Sequence, residues 1–189
     1  MQGLVDWPGR IKEMVDFVVL DEADLELVRS SAPILVDHAE ELTSAVYDHF
    51  LKFPRASTFF LTEDGEVDQV RIDRRKHTLV RWLSHTIEFT SDGDFPGFLL
   101  AIGVVHSHPP SHRAHLGSVP SRYMIGTMSF AQTAIANLLT QDMDDPLEAM
   151  RASCAWNKLL MVQLDILLAG YVTDVPTQPT APIPPQRLA

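Results

Sequence analysis

The sequence predicts an all-α protein. Apolar residues recur at three- and four-residue steps through most of the chain, the signature of helices with one buried face. Strict alternation of apolar and polar residues, which a half-buried strand needs, is scarce. The breaks are Pro-rich and Gly-poor, 13 against 9, and the segments between them are long. With 189 residues and 46% hydrophobic content, the chain can bury a sizeable core in one domain. No internal repeat is visible.

Residues 1–20 read as an N-terminal helical extension. Asp21 then caps a short helix carrying Leu25, Leu27 and Val28 inward, which Pro33 is expected to end. Ile34, Leu35, His38, Leu42, Ala45, Val46, His49 and Phe50 follow on one face of a second helix. Pro54 and the Phe59-Phe60 pair mark a short piece, and Glu63-Asp64-Gly65 a turn. The next helix spans about 67–87, with Val67, Val70, Leu79, Trp82 and Leu83 inward. Thr90-Ser91-Asp92-Gly93 reads as a loop, and a helix from Phe95 to His108 stops at Pro109 and Pro110. Two long helices close the domain. One runs from Val119-Pro120 to about Leu139. The other starts at Asp144-Asp145-Pro146, an Asp cap before a first-turn proline, and continues to about Val172. Leu159 to Val162 and Ile166 to Ala169 are apolar nearly all round, so this last helix should be enclosed on several sides. The main domain is therefore 21–172. Residues 173–189, with Pro176, Pro179, Pro182, Pro184 and Pro185, read as a disordered polyproline-like tail.

Composition excludes several function classes. Lys and Arg number 15 against 25 Asp and Glu, a formal charge of −10, which argues against nucleic acid as a partner because phosphate binding needs a basic face. No run approaches the roughly 18 apolar residues of a membrane span. The single cysteine, Cys154, excludes a disulfide framework. Acidic residues and a proline stand where a signal peptide has its apolar stretch, so the expectation is a cytoplasmic protein.

Chemistry concentrates in His106-Ser107-His108-Pro109-Pro110-Ser111-His112-Arg113-Ala114-His115, which holds four of the eight histidines. For His108, His112 and His115 the plain reading is an exposed polar loop. A second reading is zinc: Val104-Val105-His106-Ser107-His108-Pro109 resembles the core of JAMM-type metallo-isopeptidases, a metal-dependent hydrolase class. The third ligand that family needs falls on Val119 here, and its serine on Leu116, whereas a catalytic zinc wants three protein ligands and an open position. A third reading takes His106 alone as an iron ligand at a helix end. Ile102, Gly103 and Leu99 precede it by one and two turns, an apolar face with a gap at the glycine where a flat macrocycle could press. His108 is rotated about 200° from His106 on a helix and points elsewhere.

Ile102-Gly103-Val104-Val105-His106, followed after a polar loop by Val119-Pro120-Ser121-Arg122-Tyr123-Met124, resembles the proximal segment of protoglobins and globin-coupled sensor domains. Val46-Tyr47-Asp48 with Phe59-Phe60 is similar to the family's distal Tyr and the aromatic pair after it. Arg74-Arg75-Lys76-His77-Thr78-Leu79-Val80-Arg81-Trp82 resembles the helix that crosses the distal face. The three run in register over about residues 12–172. Val46 replaces the Trp that protoglobins carry before the distal Tyr, and Thr78 or Leu79 stands where they place a Phe. The distal side thus looks more like oxygen-sensing globins, which pair a Tyr with a Thr.

The resemblance implies a globin-like fold of the sensor or protoglobin type, standing alone, that binds heme b and reversibly takes a diatomic gas (O₂, CO or NO) as sensor or carrier. It implies no catalytic residue, and enzyme status stays open. His106 becomes the proximal iron ligand, its other ring nitrogen held by a carbonyl of its own helix or by the Tyr123 hydroxyl. Tyr47 becomes the donor to the gas and Thr78 a second donor. Phe50, Phe60, Leu79, Trp82, Leu83, Phe98, Ile102 and Met124 become the apolar walls. His77 is a candidate sixth ligand. Arg75, Lys76, Arg81 and Arg122 are candidates for pairing with heme propionates, against the commoner fate of a solvated cation. Sensor globins dimerise through their last two helices, so a homodimer through residues 119–140 and 146–172 is expected. The rival from a different class is the hydrolase on His106 and His108; a third is a cofactor-free helical interaction module.

Overall fold

The helix from Pro146 to Ala169, α8, is the axis on which four of the other helices pack. Its Asp145 cap accepts the Leu147 N–H at 2.8 Å, with Pro146 in the first turn where its missing N–H costs nothing. Ala152, Ala155, Trp156, Leu159, Leu160 and Val162 are fully buried along it, as its nearly continuous apolar surface requires. The computed structural model describes residues 6–62, 64–88 and 94–171. The expected loop at 90–93, the Glu63 end of the turn, Val172 and the Pro-rich tail lie outside them.

Eight α-helices make up the described fold, and its only β pairing among the described residues is one bridge between Leu61 and Val67. Helix α1 (Trp7–Phe17) opens on the Asp6 cap and lies on α8, with Ile11 buried in the common core and Arg10 forked onto Asp165 at 2.7 Å through both nitrogens. Helix α2 (Glu22–Asp37) opens with a reciprocal capping box between Asp21 and Asp24. Ser31 on α2 accepts the buried Trp156 indole N–H at 2.9 Å, so α2 and α8 share a polar pin inside an apolar interface.

Pro33 does not end α2, contrary to the expectation from sequence; the helix runs four residues further. Pro33 and Arg29 are both exposed, so the Arg29 carbonyl that Pro33 leaves without its helical partner is on the solvent side and not in the core. The break falls instead at His38, and α3 (Ala39–Lys52) follows. Pro54 starts the short α4 (Pro54–Ser57), which tightens into a 3₁₀ turn over Thr58–Phe60. The chain reverses near Gly65, whose φ of +83° favours glycine. Helix α5 (Gln69–Ile87) is capped by Asp68, which accepts the Arg71 N–H at 2.9 Å. Val67 and Val70, expected inward, are 47% and 69% exposed. Val67 sits in the bridge before the helix, and Val70 lies about 200° round from buried Ile72.

Helix α6 (Phe95–Ser107) meets the end of α8 backbone to backbone. A Cβ on Gly103 would stand 2.1 Å from the Leu167 carbonyl oxygen, and one on Gly170 would stand 2.5 Å from the Val104 nitrogen. The Ser107 hydroxyl closes the junction by donating to the Gly170 carbonyl at 2.6 Å. After a 3₁₀ segment (Ser111–Leu116), α7 (Ser121–Asp142) runs back along α8. No described helix is long and apolar enough to cross a membrane.

His38 gives the fold a pH dependence. Its Nδ1 lies 3.1 Å from Glu41 and its Nε2 3.0 Å from Asp142, joining the α2–α3 corner to the end of α7. The Glu41 contact first, then Asp142, raises its pKa above the ordinary 6.5. A raised histidine stabilises fully below its unfolded pKa and loses that contribution as pH rises through the folded value. His38→Gln should therefore lower the melting temperature at pH 5.5 and leave it nearly unchanged at pH 8.5. Equal losses at both pH values would show that the contact is not charge-dependent.

Candidate functional site

Helices α3, α5, α6 and α7 leave a cavity of about 190 Å³ between them, closed at its base by Leu167 of α8. Each helix contributes one stripe. On α5 the lining residues are Arg75, Thr78, Leu79, Trp82 and Leu83, a three-four spacing that keeps them on one face. On α3 they are Leu42, Thr43, Val46, Tyr47 and Phe50; on α7 they run from Met124 through Met128 to Ile135. From α6 come only Ile102 and His106, one turn apart. A second cavity of about 120 Å³ adjoins it under the 3₁₀ turn and the loop after α6. Tyr47, Phe50, Arg75 and His106 line both.

His106 is held firmly. Its Nδ1 sits 2.7 Å from the Ile102 carbonyl, which makes Nδ1 the protonated nitrogen and leaves Nε2 with a free lone pair. The end of its helix is pinned as well: the Val119 N–H donates to the His106 carbonyl at 2.9 Å, and the Ser118 hydroxyl to that of Ser107 at 2.7 Å. Burial pushes the His106 pKa down, and the Arg75 and Arg113 charges act the same way against the raising Ile102 bond. The imidazole is therefore neutral near pH 7, the form that ligates metal.

Tyr47 lines the same two cavities from α3. Burial raises its phenol pKa to about 12, with the Arg75 charge opposing, so it keeps its proton and stays a donor. Its ring is fixed edge-on between Phe50 and Phe60, at 5.9 and 5.5 Å.

The other polar groups of the larger cavity are already occupied. Thr43, Thr78 and Thr127 donate to carbonyls one turn back in their own helices, Glu40, Arg74 and Tyr123. The Trp82 indole donates to buried Gln163 on α8 at 2.9 Å. Three groups remain without a hydrogen-bond partner among the described residues: the Nε2 of His106, the Tyr47 hydroxyl and the Arg75 guanidinium.

Of the residues singled out from sequence, His106, Tyr47, Phe50, Thr78, Leu79, Trp82, Leu83, Ile102 and Met124 line the larger cavity, and Phe60 lines the smaller. Phe98 and Tyr123 line neither. Phe98 sits about 80° round α6 from His106 and stacks on Phe95 under Arg81. Tyr123 precedes the cavity stripe of α7 by one residue and meets Phe59; the Ile102 carbonyl, not its hydroxyl, holds His106. Gly103 and Leu99 face α8 and the core instead of the cavity, so the expected gap for a macrocycle is a helix–helix contact. Thr78, proposed as a second donor, has its proton committed to the Arg74 carbonyl. His77 is exposed and lines neither cavity. Among the four cations, Lys76 bonds Ser44, while Arg81 and Arg122 lie over aromatic rings; only Arg75 reaches the cavities. Sequence reasoning missed the α7 stripe beyond Met124 and the Thr43 and Val46 wall, because small and β-branched residues look like ordinary core.

The zinc reading does not survive this geometry. His108 is exposed and lies beside the Ser107 hydroxyl at 2.8 Å, and no group of three His, Cys, Asp or Glu side chains is placed to hold a metal among the described residues.

A family model described as Protoglobin matches residues 8–175. The chain belongs to the protoglobin family. The fold of this protoglobin is that of globin-coupled sensor globin domains. It is similar to the globin domain of the Geobacter sulfurreducens globin-coupled sensor at 22% identity, covering 85% of this chain and 96% of that one, with a TM-score of 0.66. It is also similar to the globin domain of E. coli DosC at 15% identity. The ferric form covers 85% of this chain and 99% of that one at a TM-score of 0.63, and the ferrous form 87% and 96% at 0.60. No curated protein matches the chain in sequence. Protoglobin membership implies heme as cofactor, and the residues present fit one. A neutral imidazole with one nitrogen anchored and the other free faces an apolar cavity, and a second, adjoining cavity shares Tyr47, Phe50, Arg75 and His106 as walls.

Proposed function

We propose that this protoglobin binds heme b through the Nε2 of His106 and reversibly takes a diatomic gas, O₂, CO or NO, as a sensor or carrier. The observation that supports this reading is the polar accounting of the cavity. An imidazole lone pair and a phenol donor are left unsatisfied inside one apolar space where every other hydroxyl and the indole already have partners. Neither atom is among the fully enclosed unpaired side-chain atoms, so both face open cavity space where a ligand can reach them.

Heme, when held by His106, would supply the iron that takes the gas. The protein's own residues do the rest. Ile102 fixes the tautomer and rotation of His106 through its carbonyl. Tyr47, locked by Phe50 and Phe60, offers a hydrogen bond to a ligand that gathers negative charge, as O₂ does and CO does not. The apolar walls of Leu79, Leu83, Ile102 and Met124 keep water away.

The test is absorption spectroscopy of the purified protein as isolated, reduced and treated with CO. A Soret band that shifts on CO supports the reading; a colourless protein that takes up no added hemin overturns it. Tyr47→Phe should speed O₂ release about five- to thirtyfold, the equivalent of a net hydrogen bond of roughly 1–2 kcal/mol, with CO release little changed. Equal effects on both gases would remove Tyr47 from its role.

The homodimer belongs to the same proposal. Ile125 on α7, and Leu147 and Met150 on α8, are 50%, 50% and 56% exposed, more apolar surface than one copy buries on these helices. Light scattering at micromolar concentration should give twice the chain mass; a monomer would remove the prediction.

A further inference from the structure

We propose that Arg75 is the residue that favours small monoanions of the nitrite and azide type in the cavity beside His106. This rests on the heme reading above and adds to it the residue that selects anionic ligands.

The argument is one of unbalanced charge. Arg75 stands on the cavity face of α5, one turn before Thr78 and Leu79, and lines both cavities. Burial is the first cause that lowers its pKa, followed by the neighbouring Arg113 charge, so the guanidinium is partly stripped of water. It makes no hydrogen bond or ion pair among the described residues. No Asp or Glu lines either cavity among those residues. A half-buried cation without a counter-charge is costly to keep and is balanced when an anion enters. Every carboxylate-rich alternative lies elsewhere: Arg71, one turn earlier, already holds Asp68 at 3.1 Å.

Two anions offer themselves, a carboxylate on the periphery of the heme or a ligand on the iron. Position favours the ligand. Arg75 lines the larger cavity together with the Tyr47 phenol and the His106 imidazole. Arg113 lines only the smaller cavity. A guanidinium and a phenol then offer an anion two donors of different reach.

The experiment compares wild type, Arg75→Leu and Arg75→Lys as intact heme-loaded proteins. Azide and nitrite are titrated into the ferric form and CO into the ferrous form; hemin loss to a scavenger and far-UV circular dichroism are recorded alongside. The expected result is a tenfold or greater loss of azide and nitrite affinity in Arg75→Leu. Arg75→Lys should recover most of it, with CO affinity within twofold and hemin loss unchanged. Unchanged anion affinities in a folded Arg75→Leu protein would overturn the proposal. So would faster hemin loss with wild-type anion affinity, which would give Arg75 to the heme periphery. A wild-type protein without a Soret band would fail earlier, at the heme reading itself, before any anion is added.

Discussion

His106→Ala should abolish the Soret band of the purified protein, or reduce it to the level of loosely bound hemin, while the helical circular dichroism stays close to wild type. The reason is that His106 does one thing the rest of the cavity does not. Among the described lining residues it alone carries an imidazole, and its free Nε2 is the donor that iron wants. Removing it deletes the ligand and leaves a space. Its neighbours Ile102, Phe50 and Leu79 can tolerate that space, because the residue is partly exposed to the cavity and not clamped in the α6–α8 interface. Added imidazole should then enter the gap and restore much of the band, which a merely unfolded variant would not show. His108→Ala should leave the spectrum unchanged, since its ring is exposed and engages only Ser107. If the two variants exchange effects, the ligand assignment is wrong.

The second large effect is on stability. Gly103→Ala should destabilise the protein by about 3 kcal/mol, the upper range for overpacking a filled interface. A loss of that size lowers the melting temperature of a domain this long by roughly 6–12 °C. The added methyl would meet the Leu167 carbonyl oxygen at 2.1 Å, and that atom belongs to a helix backbone that cannot rotate away. Either α6 lifts from α8, or the end of α8 shifts. Both disturb the residue three places on, His106, so hemin should also dissociate faster. Gly126→Ala serves as the control: it lies on a helix with nothing within 4 Å of an added Cβ, so helix propensity should leave it neutral or slightly stabilised. Thermal melts of the three proteins decide the matter; a Gly103→Ala melt equal to wild type would mean the helices are not in backbone contact.

The two predictions come from different readings of one helix. The spacing of His106 from Ile102 is legible in a line of sequence, and so is the chance that a lone imidazole at a helix end holds iron. The role of Gly103 is not. As a gap in an apolar face it suits a flat ring and a neighbouring helix equally well, and only the path of α8 assigns it to the second. Phe98 was misread for the same reason: an aromatic near a proposed pocket is apolar in either orientation, and about 80° of helical rotation separates a wall from a satellite packed on Phe95. Arg75 is the reverse case. On α5 it is one of several cations, and the surface is the usual place for each. Its difference from Arg81 is its face: Arg75 shares the three-four stripe of Leu79 and Trp82, from which Arg81 is turned by about 120°.

The sequence by itself determined the helical class, most element boundaries and the enclosed last helix, and it singled out His106 and Tyr47, which the structure places on the walls of the same cavities. These follow from local facts: periodicity, capping by Asp21 and Asp145, and residue types rare enough to carry chemistry. Only the tertiary structure decided that Pro33 stays within its helix, that Thr78 has its proton committed, and that three polar groups from α3, α5 and α6 share one space without partners. Hydrogen-bond balance and the facing of helices depend on contacts between residues far apart in the chain. A single helix read alone carries no record of them.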